Sequence, residues 1–197
     1  MADPVYLSLW FPSFESDDMQ SCMLGVLRQF PFSAQRPGIS AVGLHPVSWN
    51  EATILERRFN PGIDPEQAIE IASDLLHEDY AYVFQAYWDL WILPDRAQDW
   101  VLQPSPVKFI AHGLEFDEGV FEREGHIQVD FGLDTPFLQE SVQLTTAAEA
   151  KVRSNVQKLV EFTIKVEKNS GASGRLLWSE SEENLAQKLI ARLQRVQ

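Results

Sequence analysis

Strand-like segments occur in adjacent runs along this chain, and single helix-like segments separate the runs. A strand-like segment repeats its apolar side chains every second residue, as Val5, Leu7 and Leu9 do, whereas a helix-like segment repeats them every third or fourth residue, as Met19 and Met23 do. Adjacent strands with short connections pair antiparallel, and the intervening helices pack on the sheet. The pattern therefore predicts the α+β class, with a mainly antiparallel sheet and about four helices packed on one face.

The predicted elements follow the order βαββαβ and then ββαβα. The predicted helices begin at Ser16, Asp64, Thr146 and Ser181. The predicted strands are residues 5–11, 39–45, 53–59, 83–93, 107–116, 126–133 and 175–179. The first half has the element order of a ferredoxin-like unit. A length of 197 residues fits one compact domain over residues 1–197, and a second interpretation divides the chain into two parts near residues 94–106.

Residues 80–93 fit two kinds of secondary structure. Their aromatic and aliphatic side chains recur at helical spacing, but they also fill both faces of a two-residue period, which is typical of a strand buried on both sides. We expect a strand over residues 83–93, because Pro94 and Asp95 then form a turn before Trp100. This choice decides where each aromatic side chain of the segment points.

Charge is distributed unevenly along the chain. The formal net charge is −13, made up of −17 over residues 1–150 and +4 over residues 151–197. An acidic surface repels phosphate backbones, so we expect no binding to nucleic acid. The same surface speeds encounter with a basic protein, and that attraction weakens as salt rises. The charge therefore favours a basic protein partner.

The sequence also predicts a cytoplasmic protein that does not enter a membrane. Its longest uncharged run, residues 37–50, is too short to span a bilayer and contains proline and glycine. No basic residue precedes Arg28, whereas a signal peptide begins with a positive segment. The single cysteine excludes an intrachain disulfide and any zinc site with several cysteines.

Histidines and carboxylates near the predicted strand pair of residues 107–116 and 126–133 are the catalytic candidates. If these strands pair, His112 can contact Asp130, and His126 can contact Glu115. Such a pair could act as a general base or supply two metal ligands. A hydrogen-bonded core histidine is the simpler interpretation of His112. No third ligand has a diagnostic spacing and no nucleotide or protease motif is present, so neither a metal nor a cofactor is predicted.

Aromatic side chains are concentrated between residues 80 and 100. Large aromatics with a polar edge line ligand pockets and interface hot spots, but they also fill cores. The ligand-binding or partner-binding candidates are Tyr87, Trp88, Trp91 and Trp100.

Two functions remain open at the level of sequence. The first is a non-catalytic binding, adaptor or inhibitor protein with a basic protein partner, which the missing catalytic signature and the acidity favour. The second is a small-molecule-binding protein or enzyme, with an aromatic-lined pocket in which His112, Asp130 or Glu115 supplies acid–base chemistry.

Overall fold

A computed structural model describes residues 2–94, 99–140, 143–180 and 185–194. Within these ranges the backbone forms one seven-stranded sheet and six α-helices. The strands are β1 (Pro4–Trp10), β2 (Ile39–Pro46), β3 (Leu55–Ile63), β4 (Tyr80–Ile92), β5 (Val101–His112), β6 (Ile127–Leu133) and β7 (Gly174–Ser179). The helices are α1 (Ser16–Leu27), α2 (Pro65–Ser73), α3 (Phe121–Glu124), α4 (Thr135–Leu138), α5 (Thr146–Asn169) and α6 (Leu185–Gln194), and a 3-10 turn at Phe116–Glu118 precedes α3.

The strands lie in the order β3-β2-β4-β5-β6-β1-β7, and every neighbouring pair within the described ranges is antiparallel. The predicted α+β class with an antiparallel sheet is confirmed. The helix count is corrected from about four to six, because α3 and α4 are single turns that are too short to show a helical period. The ferredoxin-like first half is not confirmed, since β5 and β6 lie between β4 and β1. The predicted residues Asp95 and Ser181 lie outside the described ranges.

The main hydrophobic core lies between one face of the sheet and the helices α1, α2 and α5. Leu7, Phe84 and Phe109 project from the sheet into this core, and Val156 and Phe162 project from α5. All five side chains are almost completely buried, and burying a side chain of this size stabilises the fold by about 1.5–3 kcal/mol. No helix in the described part of the chain is long and apolar enough to cross a membrane.

The longest strand pair joins β4 and β5, and it confirms the predicted strand over residues 83–93. Twelve residues of each strand pair without a break, from Ala81 opposite His112 to Ile92 opposite Val101. The neighbouring strands are shorter: β2 pairs with β4 only as far as Ala86, and β6 pairs with β5 only as far as Lys108. The end of the β4–β5 pair therefore extends beyond the rest of the sheet, with two backbone edges that no strand covers.

The free edge of β4 is covered by side chains and by a loop. The Ser33 N–H donates to the Tyr87 carbonyl at 2.7 Å, and the Lys158 ammonium donates to the Asp89 carbonyl. The buried amide of Asn155 replaces a neighbouring strand: its Oδ1 accepts from the Trp91 N–H at 2.9 Å, and its Nδ2 donates to the Trp91 carbonyl at 2.8 Å. These contacts satisfy backbone groups that would otherwise be buried without partners.

The free edge of β5 is blocked by proline. The His112 N–H donates to the His126 carbonyl, so even-numbered residues of β5 direct their backbone groups toward β6. Pro104 and Pro106 lie on this same side, beyond the last residue that pairs with β6. Because proline has no N–H, neither residue can donate to an added strand. This placement explains why β5 starts at Val101, earlier than the predicted start at residue 107.

Replacement of Asn155 tests the edge contact. We expect Asn155→Leu to lower the free energy of unfolding by about 3 kcal/mol, because it leaves the Trp91 N–H and two carbonyls without partners. These two carbonyls are those of Trp91 and Pro136, and the Pro136 carbonyl accepts from the Asn155 Nδ2 at 2.8 Å. Urea unfolding measures the change. Gln157→Leu, at an exposed position of the same helix, is the control and should cost about 0.5 kcal/mol or less. Equal losses in both variants would contradict the assignment.

Candidate functional site

An apolar cleft opens where β5 and β6 separate. Beyond Asp130, β6 leaves β5: the Asp130 carboxylate accepts from the Gly132 N–H at 2.8 Å, and Gly132 adopts a left-handed backbone with φ of +76°. The chain then enters α4, which forms the opposite wall. The resulting cavity has a volume of about 290 Å³. Its apolar lining includes the side chains of Trp91, Trp100, Pro106, Phe131, Leu133 and Pro136.

The cleft contains no ionisable lining residue within the described part of the chain. Its side-chain polar groups are the neutral ones of Ser105, Thr135 and Gln139 and the indole N–H groups of Trp91 and Trp100. Apolar surface extends outside it, because Leu133 is 54% exposed and Leu102, on the blocked edge of β5, is 42% exposed. A concave apolar site with a few neutral polar groups accommodates uncharged aliphatic or aromatic groups.

The four aromatic candidates lie in three different environments. Trp91 and Trp100 line the cleft, and the Lys151 ammonium lies 4.6 Å from the centroid of the Trp91 ring. Trp88 is completely buried in the core. Tyr87 lies on the face of the sheet opposite to that of Trp88. The guanidinium carbon of Arg36 lies 3.7 Å from the centroid of the Tyr87 ring. Only two of the four side chains are thus brought together in one site.

The catalytic candidates do not converge. Lys108 lies opposite Asp130 in the register, and His112 lies four residues further along β5, about 13 Å away at the usual rise per residue. Glu115 is exposed on the turn that follows β5, where its N–H donates to the Glu78 carbonyl at 2.8 Å. None of these residues lines the cleft.

His112 is a buried histidine with one hydrogen bond. Its Nδ1 lies 2.8 Å from the Gly125 carbonyl, so Nδ1 carries the proton and donates. Its Nε2 then presents a lone pair, for which the described residues provide no partner. Burial lowers the pKa of His112 below its usual range, so the ring is neutral at pH 7.

His126 is held in the same region by its backbone and ring contacts. Its Nδ1 accepts from the Phe11 N–H at 2.9 Å, and the ring stacks against Phe14 and Phe121, with both centroids 4.8 Å away. Burial lowers the pKa of His126, and the nearby His112 lowers it further. The neutral imidazole acts as a backbone acceptor at the start of β6, and the predicted contact with Glu115 is not among its hydrogen bonds.

Sequence reasoning missed Trp49, which lies on the connection between β2 and β3. Its ring meets His45 at 4.8 Å, Phe116 at 5.0 Å and His112 at 6.1 Å between centroids. The Nδ1 of His45 is buried and lacks a partner among the described residues, and burial lowers the pKa of His45. No periodicity indicates Trp49, because a loop residue that packs against two strands and a turn leaves no local pattern.

The described residues contain no group of three or more His, Cys, Asp or Glu side chains that could hold a metal ion. No protein-family model, curated protein or solved structure matches the chain.

The buried histidines predict a dependence of stability on pH. Unfolded histidine has a pKa of about 6.5, and the pKa of folded His112 is lower, so below pH 6.5 the unfolded chain binds more protons. The contribution of His112 to stability is therefore complete above this pH and falls as the pH drops toward the folded pKa. We expect His112→Phe to reduce the slope of unfolding free energy against pH by up to about 1 kcal/mol per pH unit between pH 6.5 and 5. Urea unfolding across this range measures both slopes.

The slopes of the wild type and of His112→Phe at higher pH are the control. Between pH 7.5 and 8.5 neither the folded nor the unfolded imidazole takes up a proton, so the two slopes should agree there even if the variant is less stable overall. A slope below pH 6.5 that is the same in both proteins would contradict the neutral, buried state of His112.

Proposed function

We propose that this chain is a non-catalytic binding protein, and that the cleft between β5 and β6 takes an apolar side chain of a basic partner protein. The observation that carries the proposal is the cleft itself, which has tryptophan walls and an exposed apolar rim. Aromatic and aliphatic anchors that enter such pockets supply most of the affinity in protein interfaces.

The structure of the rim supports a protein partner. Val101, Leu102 and Leu133 are each more than two-fifths exposed, and exposed apolar surface next to a pocket is typical of interaction sites. A partner that inserts one side chain would cover these residues with its neighbours. Removal of the rim from water adds to the affinity that the anchor provides.

Charge supports a basic partner. The formal net charge of the chain is −13, and Asp99 and Asp134 adjoin lining residues of the cleft in sequence. Burial raises the pKa of Asp134, a backbone hydrogen bond with Asp3 and the Lys188 ammonium oppose the rise, and the Asp3 and Glu140 carboxylates add to it. A basic partner would place further positive charge beside these carboxylates, and the long-range field would speed the encounter. We place this encounter in the cytoplasm, because the chain has a single cysteine and so no intrachain disulfide.

The position of the ionisable groups favours binding over catalysis. A general base must lie within hydrogen-bond reach of the group that it deprotonates. The cleft has no ionisable lining residue in the described part of the chain, and His112, Asp130 and Glu115 lie outside it. A bound group in the cleft would therefore meet only neutral side chains and backbone.

A small apolar ligand is the second candidate. The specific observation is that the cavity is concave and, at about 290 Å³, lies near the lower end of the range for small-molecule pockets. Such a ligand would lie between Trp91 and Trp100 and donate or accept at Ser105, Thr135 or Gln139.

Native mass spectrometry of the tagged protein, purified gently from its own host, tests both candidates. We expect a basic protein to copurify and to be lost as salt rises. The double variant Trp100→Ala/Leu133→Ser should retain about tenfold less of it, because it removes one tryptophan wall and part of the rim of the cleft. A small mass increment that the same variant abolishes would support the second candidate instead.

A matched control variant lies on the edge strand β7. Trp178→Ala/Leu176→Ser removes a half-buried tryptophan and a leucine that is 51% exposed, close to the 54% of Leu133, and should retain the partner at the wild-type level. Equal losses in the two double variants, or a partner that high salt does not remove, would contradict the proposal. Melting curves of all variants identify any loss that is due to unfolding.

A further inference from the structure

The loop between β2 and β3 exposes three large apolar side chains at the end of the sheet opposite the cleft. Residues 46–54, here called the 46–54 loop, carry Val47, Trp49 and Ile54, which are 54%, 38% and 48% exposed. The loop lies beside the end where Ala81 pairs with His112, whereas the cleft lies beside the end where Ile92 pairs with Val101. This apolar surface is therefore separate from the cleft.

Two neighbouring loops hold the 46–54 loop in place. The Val47 N–H donates to the Asp79 carbonyl at 2.8 Å, and the Asp117 N–H donates to the Val47 carbonyl at 2.7 Å. These bonds hold Val47 at a φ of +62°, a left-handed conformation that is unfavourable for a β-branched side chain. The backbone at Val47 is therefore held in one conformation, which lowers the entropy that a partner must remove on binding there.

Trp49 links the exposed surface to the buried histidines. One side of its ring packs against His45, His112 and Phe116, while more than a third of the side chain remains exposed. Beneath it, the fully buried His112 presents the Nε2 lone pair that has no partner among the described residues. This Nε2 can accept a hydrogen bond but cannot donate one, and it is buried away from solvent.

The three loops that form this surface carry charges of a single sign, and the Arg123 guanidinium lies just beyond them, near Asp117. The 46–54 loop and the two loops bonded to it, residues 74–79 and 113–119, contain seven Asp or Glu residues and no Lys or Arg. Glu51, Glu115 and Glu118 are exposed. A partner that covers Val47, Trp49 and Ile54 would bring its flanking side chains against these carboxylates, so charge complementarity selects lysine and arginine.

We infer that the 46–54 loop and the carboxylates around it form a second docking surface, whose occupant is a basic amphipathic segment of another protein. Apolar side chains of the segment cover Val47, Trp49 and Ile54, and its Lys and Arg side chains pair with Glu51, Glu115 and Glu118. The inference concerns a surface other than the cleft and holds whether or not the cleft binds a partner.

Fluorescence anisotropy with a labelled amphipathic helical peptide of leucine and lysine tests the inference on the full chain. We expect Trp49→Ser to weaken binding about tenfold, whereas Trp178→Ser, which removes a half-buried tryptophan from β7, leaves it unchanged. We expect Glu51→Gln/Glu115→Gln/Glu118→Gln to weaken binding about tenfold and to reduce its salt dependence. Asp17→Asn/Glu70→Gln/Glu161→Gln makes the same change of net charge at exposed positions elsewhere and should weaken binding less than about twofold.

Two further peptides separate the apolar from the ionic contribution. A serine–lysine peptide should bind about tenfold more weakly than the leucine–lysine peptide, and a leucine–glutamate peptide should not bind. Equal losses in the two triple variants would show attraction by net charge alone and would overturn the inference, as would equal binding of the serine–lysine peptide. Loss of binding in Trp100→Ala/Leu133→Ser but not in Trp49→Ser would show that the peptide occupies the cleft and would overturn the inference. If Trp49→Ser fails to fold, the comparison of the two triple variants decides the outcome.

Discussion

The unequal lengths of neighbouring strands determine where the cleft forms and how the edges of the β4–β5 pair must be covered. β4 and β5 pair over twelve residues, but β2 and β6 stop well before their end, so two backbone edges project beyond the sheet. Unpaired backbone groups that are buried cost about as much as a lost hydrogen bond, and exposed ones attract other strands. The Asn155 amide covers the edge of β4 and also donates to Pro136 of α4. One buried side chain thus fixes both the projecting strands and a wall of the cleft.

Much of the fold could be predicted from local patterns. Period-two and helical repeats identified the antiparallel α+β class and the three helices α1, α2 and α5, because these long elements bury one regular face. The single-turn helices α3 and α4 have no such repeat. The true start of β5 was missed because proline usually interrupts a strand, and only the register shows that Pro104 and Pro106 face a side with no neighbour.

The candidate sites were less predictable than the fold. Trp91 and Trp100 could be selected from the aromatic cluster, but nothing in the sequence distinguishes them from Trp88, which the pleat turns into the core. The expected contact of His112 with Asp130 depended on a register that the sequence does not determine, and Lys108 occupies the facing position. Trp49 meets side chains from β2, β5 and the turn after β5, and contacts between such distant segments leave no local signal.

The prolines at the edge of β5 limit the form in which any chain can approach the cleft. Many proteins bind extended peptides by letting them join a sheet as an extra strand, with backbone hydrogen bonds along its edge. Here Pro104 and Pro106 remove two of the donors that such a peptide would need, so a continuous ladder cannot form along this edge. Recognition along it depends more on side-chain shape than on the main chain. The cleft is therefore better suited to a helix or a turn that projects a single side chain than to the indiscriminate strand pairing that leads to aggregation.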